Sequence, residues 1–177
     1  KNSTFTNCKA GDQGNYIYES DNAVPTLENN TVVVAAPTAE DFANALKLNT
    51  ENIKVVLAAD IDCPISSLGQ QTGGSGEYKL GGENTNYITI DLNGKNLNIT
   101  TSYWSGIGAK NNNALFTIKN GTMTSSQATG TWNSYDVTFA NCNYAIENVT
   151  FEKSIAFTNA EKAVALKNVT INETHDY

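Results

Sequence analysis

Along most of this chain apolar and polar residues alternate with period two, in short runs separated by polar stretches. Four runs align on an asparagine: L-N-G-K-N-L-N-I (92–99), F-T-I-K-N-G-T-M (116–123), Y-A-I-E-N-V-T-F (144–151) and V-A-L-K-N-V-T-I (164–171). The aligned residues are Asn96, Asn120, Asn148 and Asn168. Before the asparagine, apolar residues sit four and two positions back, as in Phe116 and Ile118, Tyr144 and Ile146, Val164 and Leu166. After it they sit one and three positions on, as in Leu97 and Ile99, Val149 and Phe151, Val169 and Ile171. Two strands thus meet with reversed parity. One residue must turn the chain so that both strands face the same interior. A left-handed residue does this, and asparagine tolerates that conformation better than other types with a side chain. Repetition at 20 to 30 residues marks a stacked-repeat architecture, in which the asparagines of successive turns can hydrogen-bond to one another.

Further alternation at Tyr135, Val137 and Phe139, and at Ile155 and Phe157, fills out the turns. Three short strands fit between Asn148 and Asn168, which is one coil of a parallel β-helix. One segment breaks the period. Residues 37–48 place Phe42, Ala43, Ala45 and Leu46 on one face at helical spacing, with Thr38 as N-cap and Asp41 at the capping-box position. This helix is expected over 38–48, laying Phe42 and Leu46 over the first coil. β-Branched runs, T-V-V-V-A-A (31–36) and I-K-V-V-L-A-A-D-I-D (53–62), flank it as strands. Residues 64–86 read as a long irregular segment holding six of the 13 glycines. It lacks the glycine spacing and the following helix of a phosphate-binding loop. After the last strand comes N-E-T-H-D-Y, with no second helix, so that edge is expected to need further chain or another cover.

The fold class read from this pattern is all-β: a single-stranded right-handed parallel β-helix with a short N-terminal capping helix. Residues 1–30 form an N-terminal extension, and 31–177 form the β-helix domain that includes the helix. The order V-V-V-A-A-P-T-A-E-D-F-A-N-A-L, I-K-V-V-L-A-A-D-I-D, I-T-I-D-L-N-G-K-N-L-N-I and F-T-I-K-N-G-T-M resembles the secreted pectin-lyase-like right-handed β-helix proteins of gut bacteria. The resemblance covers about residues 31–171. It implies a family that holds polysaccharide lyases and hydrolases alongside noncatalytic surface proteins.

Composition narrows the function. Eighteen acidic residues face 11 basic ones, giving a net charge of −7, and every basic residue is lysine. Such a chain lacks the basic face that nucleic-acid binding requires. No apolar run is long enough to span a membrane. The polarity comes instead from 25 asparagines and 21 threonines. Seven N-x-S/T sequons, at Asn2, Asn29, Asn98, Asn120, Asn148, Asn168 and Asn172, are close to what that composition yields by chance. Cys8, Cys63 and Cys142 have no zinc spacing and read as buried thiols with at most one bridge, Cys8 with Cys63 being the pair to test.

The resemblance to pectate lyases implies acidic Ca²⁺ ligands and an arginine or lysine base. Here only lysine is available, and Lys95, Lys119 and Lys167 fall at outward positions. The resemblance to polygalacturonases implies clustered aspartates with a nearby histidine, whereas the single histidine here is His175. Paired carboxylates serve such chemistry because one protonates the leaving oxygen while the other activates water. No catalytic residue is assigned and no cofactor is expected. Asp60 and Asp62 share a strand face and are weak candidates for a Ca²⁺ site, or else are solvated strand-end acids. Tyr103 with Trp104, and Trp132 with Tyr135, are candidates for stacking on sugar rings, or else anchor their loops. The leading expectation is a noncatalytic, secreted or cell-surface, glycan-binding or adhesive β-helix. Its alternatives are a polysaccharide lyase or glycoside hydrolase of the same fold, and a rigid segment of a longer surface protein.

Overall fold

The computed structural model describes residues 4–6, 31–69, 71–72, 76–101, 106–127, 137–140, 142–158 and 162–172. In chain order these form β1 (Thr4–Thr6), β2 (Thr31–Ala36), α1 (Ala39–Ala45), β3 (Asn52–Leu57), β4 (Ile61–Pro64), a 3₁₀ turn (Ile65–Leu68), β5 (Gln71–Thr72), β6 (Glu77–Leu80), β7 (Tyr87–Asp91), β8 (Asn96–Thr101), β9 (Gly106–Ala109), β10 (Leu115–Gln127), β11 (Val137–Phe139), β12 (Asn143–Phe151), β13 (Ile155–Phe157) and β14 (Val164–Ile171). The fold is all-β with parallel pairing throughout, except where β5 lies antiparallel to β6.

Strands of like position stack in three ladders. The first runs β1-β2-β3-β7-β10-β12-β14. Its register puts Val32 beside Ile53, Ile53 beside Ile88, Ile88 beside Phe116, Phe116 beside Tyr144 and Tyr144 beside Val164. The second joins β4, β8 and the later arms of β10, β12 and β14, aligning Ile61, Leu97, Met123, Phe151 and Ile171. The third joins β6, β9, β11 and β13. Because the side-chain period is two, each ladder sends one full set of rows inward. The rows meet in a single apolar core that includes Ile90, Leu97, Ile107, Phe116, Phe139 and Phe151. Phe139 stacks on Phe157 at 5.2 Å between centroids and lies 5.1 Å from Tyr144. The buried Tyr144 hydroxyl shares its proton between the carbonyl oxygens of Ile107 and Ala140, each 2.9 Å away.

The helix is shorter than 38–48 but keeps its predicted chemistry. Thr38 Oγ1 accepts the Asp41 N–H at 3.1 Å and donates to Asp41 Oδ2 at 2.6 Å. Phe42, Ala43, Ala45 and Leu46 are all buried, and the helix packs on β2, β3, β4 and the 3₁₀ turn. Gly81 donates its N–H to the Leu46 carbonyl at 2.7 Å, satisfying a group that a helix end leaves open. Residues 64–86 are more regular than alternation alone indicated: the 3₁₀ turn, β5 and β6 all lie there, and β6 starts the third ladder.

The left-handed corners are real at Asn120, Asn148 and Asn168, with φ of 63°, 54° and 52°. Their side chains form a ladder: Asn168 Nδ2 donates to Asn148 Oδ1 at 3.0 Å, and Asn148 Nδ2 to Asn120 Oδ1 at 3.2 Å. The fourth expected corner, Asn96, is a correction. The left-handed asparagine of that pass is Asn93, with φ of 51°, followed by Gly94 at 73°. Lys95 N–H bonds the Leu92 carbonyl at 2.8 Å, closing a turn with two left-handed central residues. Asp91 pairs with Lys119 and Asn96 with Thr122, so this corner carries two residues more than the one in β10. An insertion of two preserves parity, so Leu97 and Ile99 still face inward although the alignment was displaced.

Candidate functional site

β4 turns Ile61 and Cys63 inward, so Asp60 and Asp62 emerge on the outer face of the second ladder. Each uses one carboxylate oxygen to hold β8. Asp60 Oδ1 accepts the Asn96 backbone N–H at 2.8 Å, and Asp62 Oδ1 accepts Asn98 Nδ2 at 2.9 Å. Asn98 Nδ2 also reaches Ser126 Oγ at 3.2 Å, and that oxygen lies 3.1 Å from Thr100 Oγ1. Asn98 Oδ1 is buried and has no hydrogen-bond partner among the described residues. Along this face runs a depression of about 440 Å³ lined by Asp60, Ile61, Asp62, Asn96, Asn98, Thr122, Thr124 and Glu152. Outward rows build it: Asn96 sits beside Thr122, Asp62 beside Asn98, and Asn98 beside Thr124.

Its lining can both accept and donate hydrogen bonds. Carboxylates accept hydrogen bonds, amides donate and accept, and threonine hydroxyls do both. Three carboxylates and no lysine line it, so its field disfavours anions. Among the described residues no group of three or more His, Cys, Asp or Glu side chains is placed to hold a metal ion. A second polar cluster is spent on the fold. Asp91 Oδ1 accepts Asn120 Nδ2 at 3.0 Å and the Asn93 N–H at 3.2 Å, while Oδ2 lies 3.9 Å from Lys54 Nζ and 3.8 Å from Lys119 Nζ.

The aromatic candidates Tyr103, Trp104, Trp132 and Tyr135 lie outside the described residues, as do Cys8 and His175. Tyr87 was missed by the sequence reading and is 53 % exposed on the first ladder, between Asn52 and Leu115. The alternation Y-I-T-I over 87–90 carries the signal for it, since buried Ile88 and Ile90 force Tyr87 outward. The contributions of Asn96, Asn98, Thr122, Thr124 and Glu152 were also missed, because they converge through strand register. Cys63 and Cys142 are buried free thiols, and the expected pairing of Cys63 with Cys8 falls on a residue outside the described ones. Burial pushes the Cys63 thiol up to about 11, against a smaller opposing pull from Lys47. Cys142 is also raised by burial, only partly offset by its hydrogen bonds to Tyr144 and the Ala109 backbone and by Lys162. Thiols held protonated in this way are poor nucleophiles.

Comparison of the chain with protein-family models, with curated proteins and with solved structures returned no match.

Proposed function

We propose that this chain is a right-handed parallel β-helix of the pectin-lyase-like kind, secreted or displayed at a cell surface, that binds glycans without cleaving them. The fold part of this reading is supported by three parallel ladders visited in a repeating order and by the left-handed asparagine corners. The observation that carries the binding part is the depression over β4, β8 and β10, where amides, hydroxyls and carboxylates alternate along an extended face. A saccharide lying across the strands would meet Asn96 and Thr122 in one row and Asp62, Asn98 and Thr124 in the next. The absence of lysine from the lining favours neutral or amino sugars over polyuronates.

The test is a glycan array followed by calorimetry. Thr124→Lys, which fills the depression from an outward position, is expected to lower affinity at least about tenfold, or about 1.4 kcal/mol, while leaving the unfolding midpoint unchanged. Trp104→Ala and Trp132→Ala test the aromatic candidates in the same assay. No bound glycan, or binding indifferent to Thr124→Lys, sinks the proposal.

A second reading, glycoside hydrolysis, draws on the carboxylates in the same depression. Asp60 and Asp62 are two residues apart on one strand face, which separates their backbones by about 6.5 Å. Inverting glycosidases hold their carboxyl pair roughly 6.5–9.5 Å apart. Reducing-end release from neutral polysaccharides, abolished by both Asp60→Asn and Asp62→Asn, would establish this reading and overturn the noncatalytic one.

A further inference from the structure

The depression over β4, β8 and β10 holds more acceptors than donors. Asn98 spends both amide hydrogens within the fold, one on Asp62 Oδ1 at 2.9 Å and one on Ser126 Oγ at 3.2 Å. Turning that amide over would set its oxygen against the carboxylate, so the orientation is fixed by charge. Asp60 Oδ1 and Asp62 Oδ1 are each occupied by a donor from β8. Among the described residues, nothing donates to the second oxygen of either aspartate, to the Glu152 carboxylate or to the buried Asn98 Oδ1. Lys95 and Lys153 are close in sequence, but neither lines the depression. Glu152 closes its central row. The Glu152 N–H bonds the Met123 carbonyl at 3.1 Å, which carries the β10–β12 register one residue past Phe151 and sets Glu152 beside Thr124. Asp62, Asn98, Thr124 and Glu152 thus stand side by side on four successive passes of the chain. At about 4.8 Å per strand step, the backbones that carry the two end carboxylates are roughly 14 Å apart.

Resting on the glycan-binding reading, the geometry points to an amino-sugar oligomer with free primary ammonium groups as the ligand of this depression, one ammonium at the Asp60 and Asp62 end and another at Glu152. A neutral sugar hydroxyl can donate to these oxygens, but it brings lone pairs of its own. The donors left in the lining to meet them are the Asn96 amide and the hydroxyls of Thr122 and Thr124. An ammonium group has three donors and no lone pair, and its charge is attracted by the carboxylates with no lysine in the lining to oppose it. N-Acetylation removes that charge, leaves one donor and adds a carbonyl acceptor, so the acetylated sugar fits the surplus of acceptors less well. The length of the row selects an oligomer. A single amino sugar reaches one end, whereas a linked chain reaches both, and the second contact is then made within one complex.

The test is calorimetry on the full 177-residue chain with tetramers of glucosamine, N-acetylglucosamine and glucose, all of one linkage. The glucosamine tetramer is expected to bind at least about tenfold tighter than either of the others at low salt, which two partly exposed ion pairs can supply. That margin is expected to shrink as ionic strength rises. Glu152→Gln, at an exposed position, is expected to lower affinity for the glucosamine tetramer about threefold and for the acetylated tetramer by less. Glu83→Gln removes an exposed acid outside the depression and is expected to change neither. Equal affinity for the glucosamine and N-acetylglucosamine tetramers would overturn this inference and leave glycan binding standing, whereas binding of no glycan at all would sink both. Equal losses from Glu152→Gln and Glu83→Gln would assign the attraction to net charge alone. An aliphatic tetra-amine that binds as tightly as the glucosamine tetramer would assign it to ammonium groups without the sugar. Either of these results overturns the proposal.

Discussion

Asn120 donates its side-chain amide to Asp91 Oδ1 across 3.0 Å, though 29 residues separate the two in sequence. The asparagine ladder therefore ends on a carboxylate rather than on another asparagine. The same oxygen takes the Asn93 N–H, which fixes the longer corner beneath it. Asp91→Asn keeps an acceptor and loses only the attraction of two partly exposed lysines, so it should cost less than about 1 kcal/mol. Asp91→Ala leaves two donors without their acceptor and should cost about 1–2 kcal/mol. Urea denaturation of the two variants distinguishes them, and equal losses would mean that the acceptor role is unimportant.

Asn148 combines a left-handed backbone with a place in the middle of the ladder. Alanine there meets the steric cost of that conformation, about 1–2 kcal/mol, and loses both amide bonds. Glycine loses the same bonds without the steric cost. Asn148→Gly is thus expected to be more stable than Asn148→Ala. Equal unfolding midpoints would remove the conformational explanation for the corner.

Gly121 follows Asn120 at the position that Val149 and Val169 occupy in the next two passes. The two extra residues of the neighbouring corner explain the difference. A Cβ on Gly121 would lie 2.5 Å from Leu92 Cβ and 2.6 Å from the Lys95 carbonyl oxygen. Gly121→Ala should destabilise by roughly 1–3 kcal/mol, the range for overpacking a well-filled interior. Gly106→Ala is the control, since its nearest contact is a threonine methyl at 3.3 Å. It should be the milder change by a clear margin in the same denaturation assay.

Cys63 gives stability a pH dependence on the alkaline side. Its thiol is raised to about 11 in the folded chain, whereas an unfolded cysteine titrates near about 8.5. Between those values the unfolded chain has released a proton that the folded chain retains. The contribution is therefore complete below about pH 8.5 and is lost as pH rises toward about 11, at about 1.4 kcal/mol per unit of pKa difference. Cys142 is displaced in the same direction. Cys63→Ala should start from a lower midpoint at pH 7 and lose less between pH 8 and pH 10.5 than the parent does. Parallel curves for the two proteins would assign the slope to other groups.

The sequence carried the parts of this structure that depend on local rules. Thr38 and Asp41 marked the start of α1, and its buried face is the one that helical spacing picks out. Asn120, Asn148 and Asn168 betrayed their backbone conformation because parity reverses around each of them. Asn96 misled because the same reversal occurs after a corner two residues longer, and period-two patterning is blind to a shift of two. β6 was hidden among glycines, since E-Y-K-L is too short to show a period against that background. Of the depression, only Asp60 and Asp62 were visible in advance. Asn96, Asn98, Thr122, Thr124 and Glu152 come together through register between strands 26 and 28 residues apart, which no local pattern encodes.

The corner at Asn93 and Gly94 also shows which changes of chain length this architecture absorbs. Two residues were accommodated there by a tighter reversal and one glycine on the neighbouring pass, and every side chain beyond kept its face. A single-residue insertion at the same place would exchange inside for outside along all of β8. Insertions and deletions in homologous chains should thus come as even steps at the corners or as loops between the ladders, and removal of a whole pass should do less harm than removal of one residue from a strand.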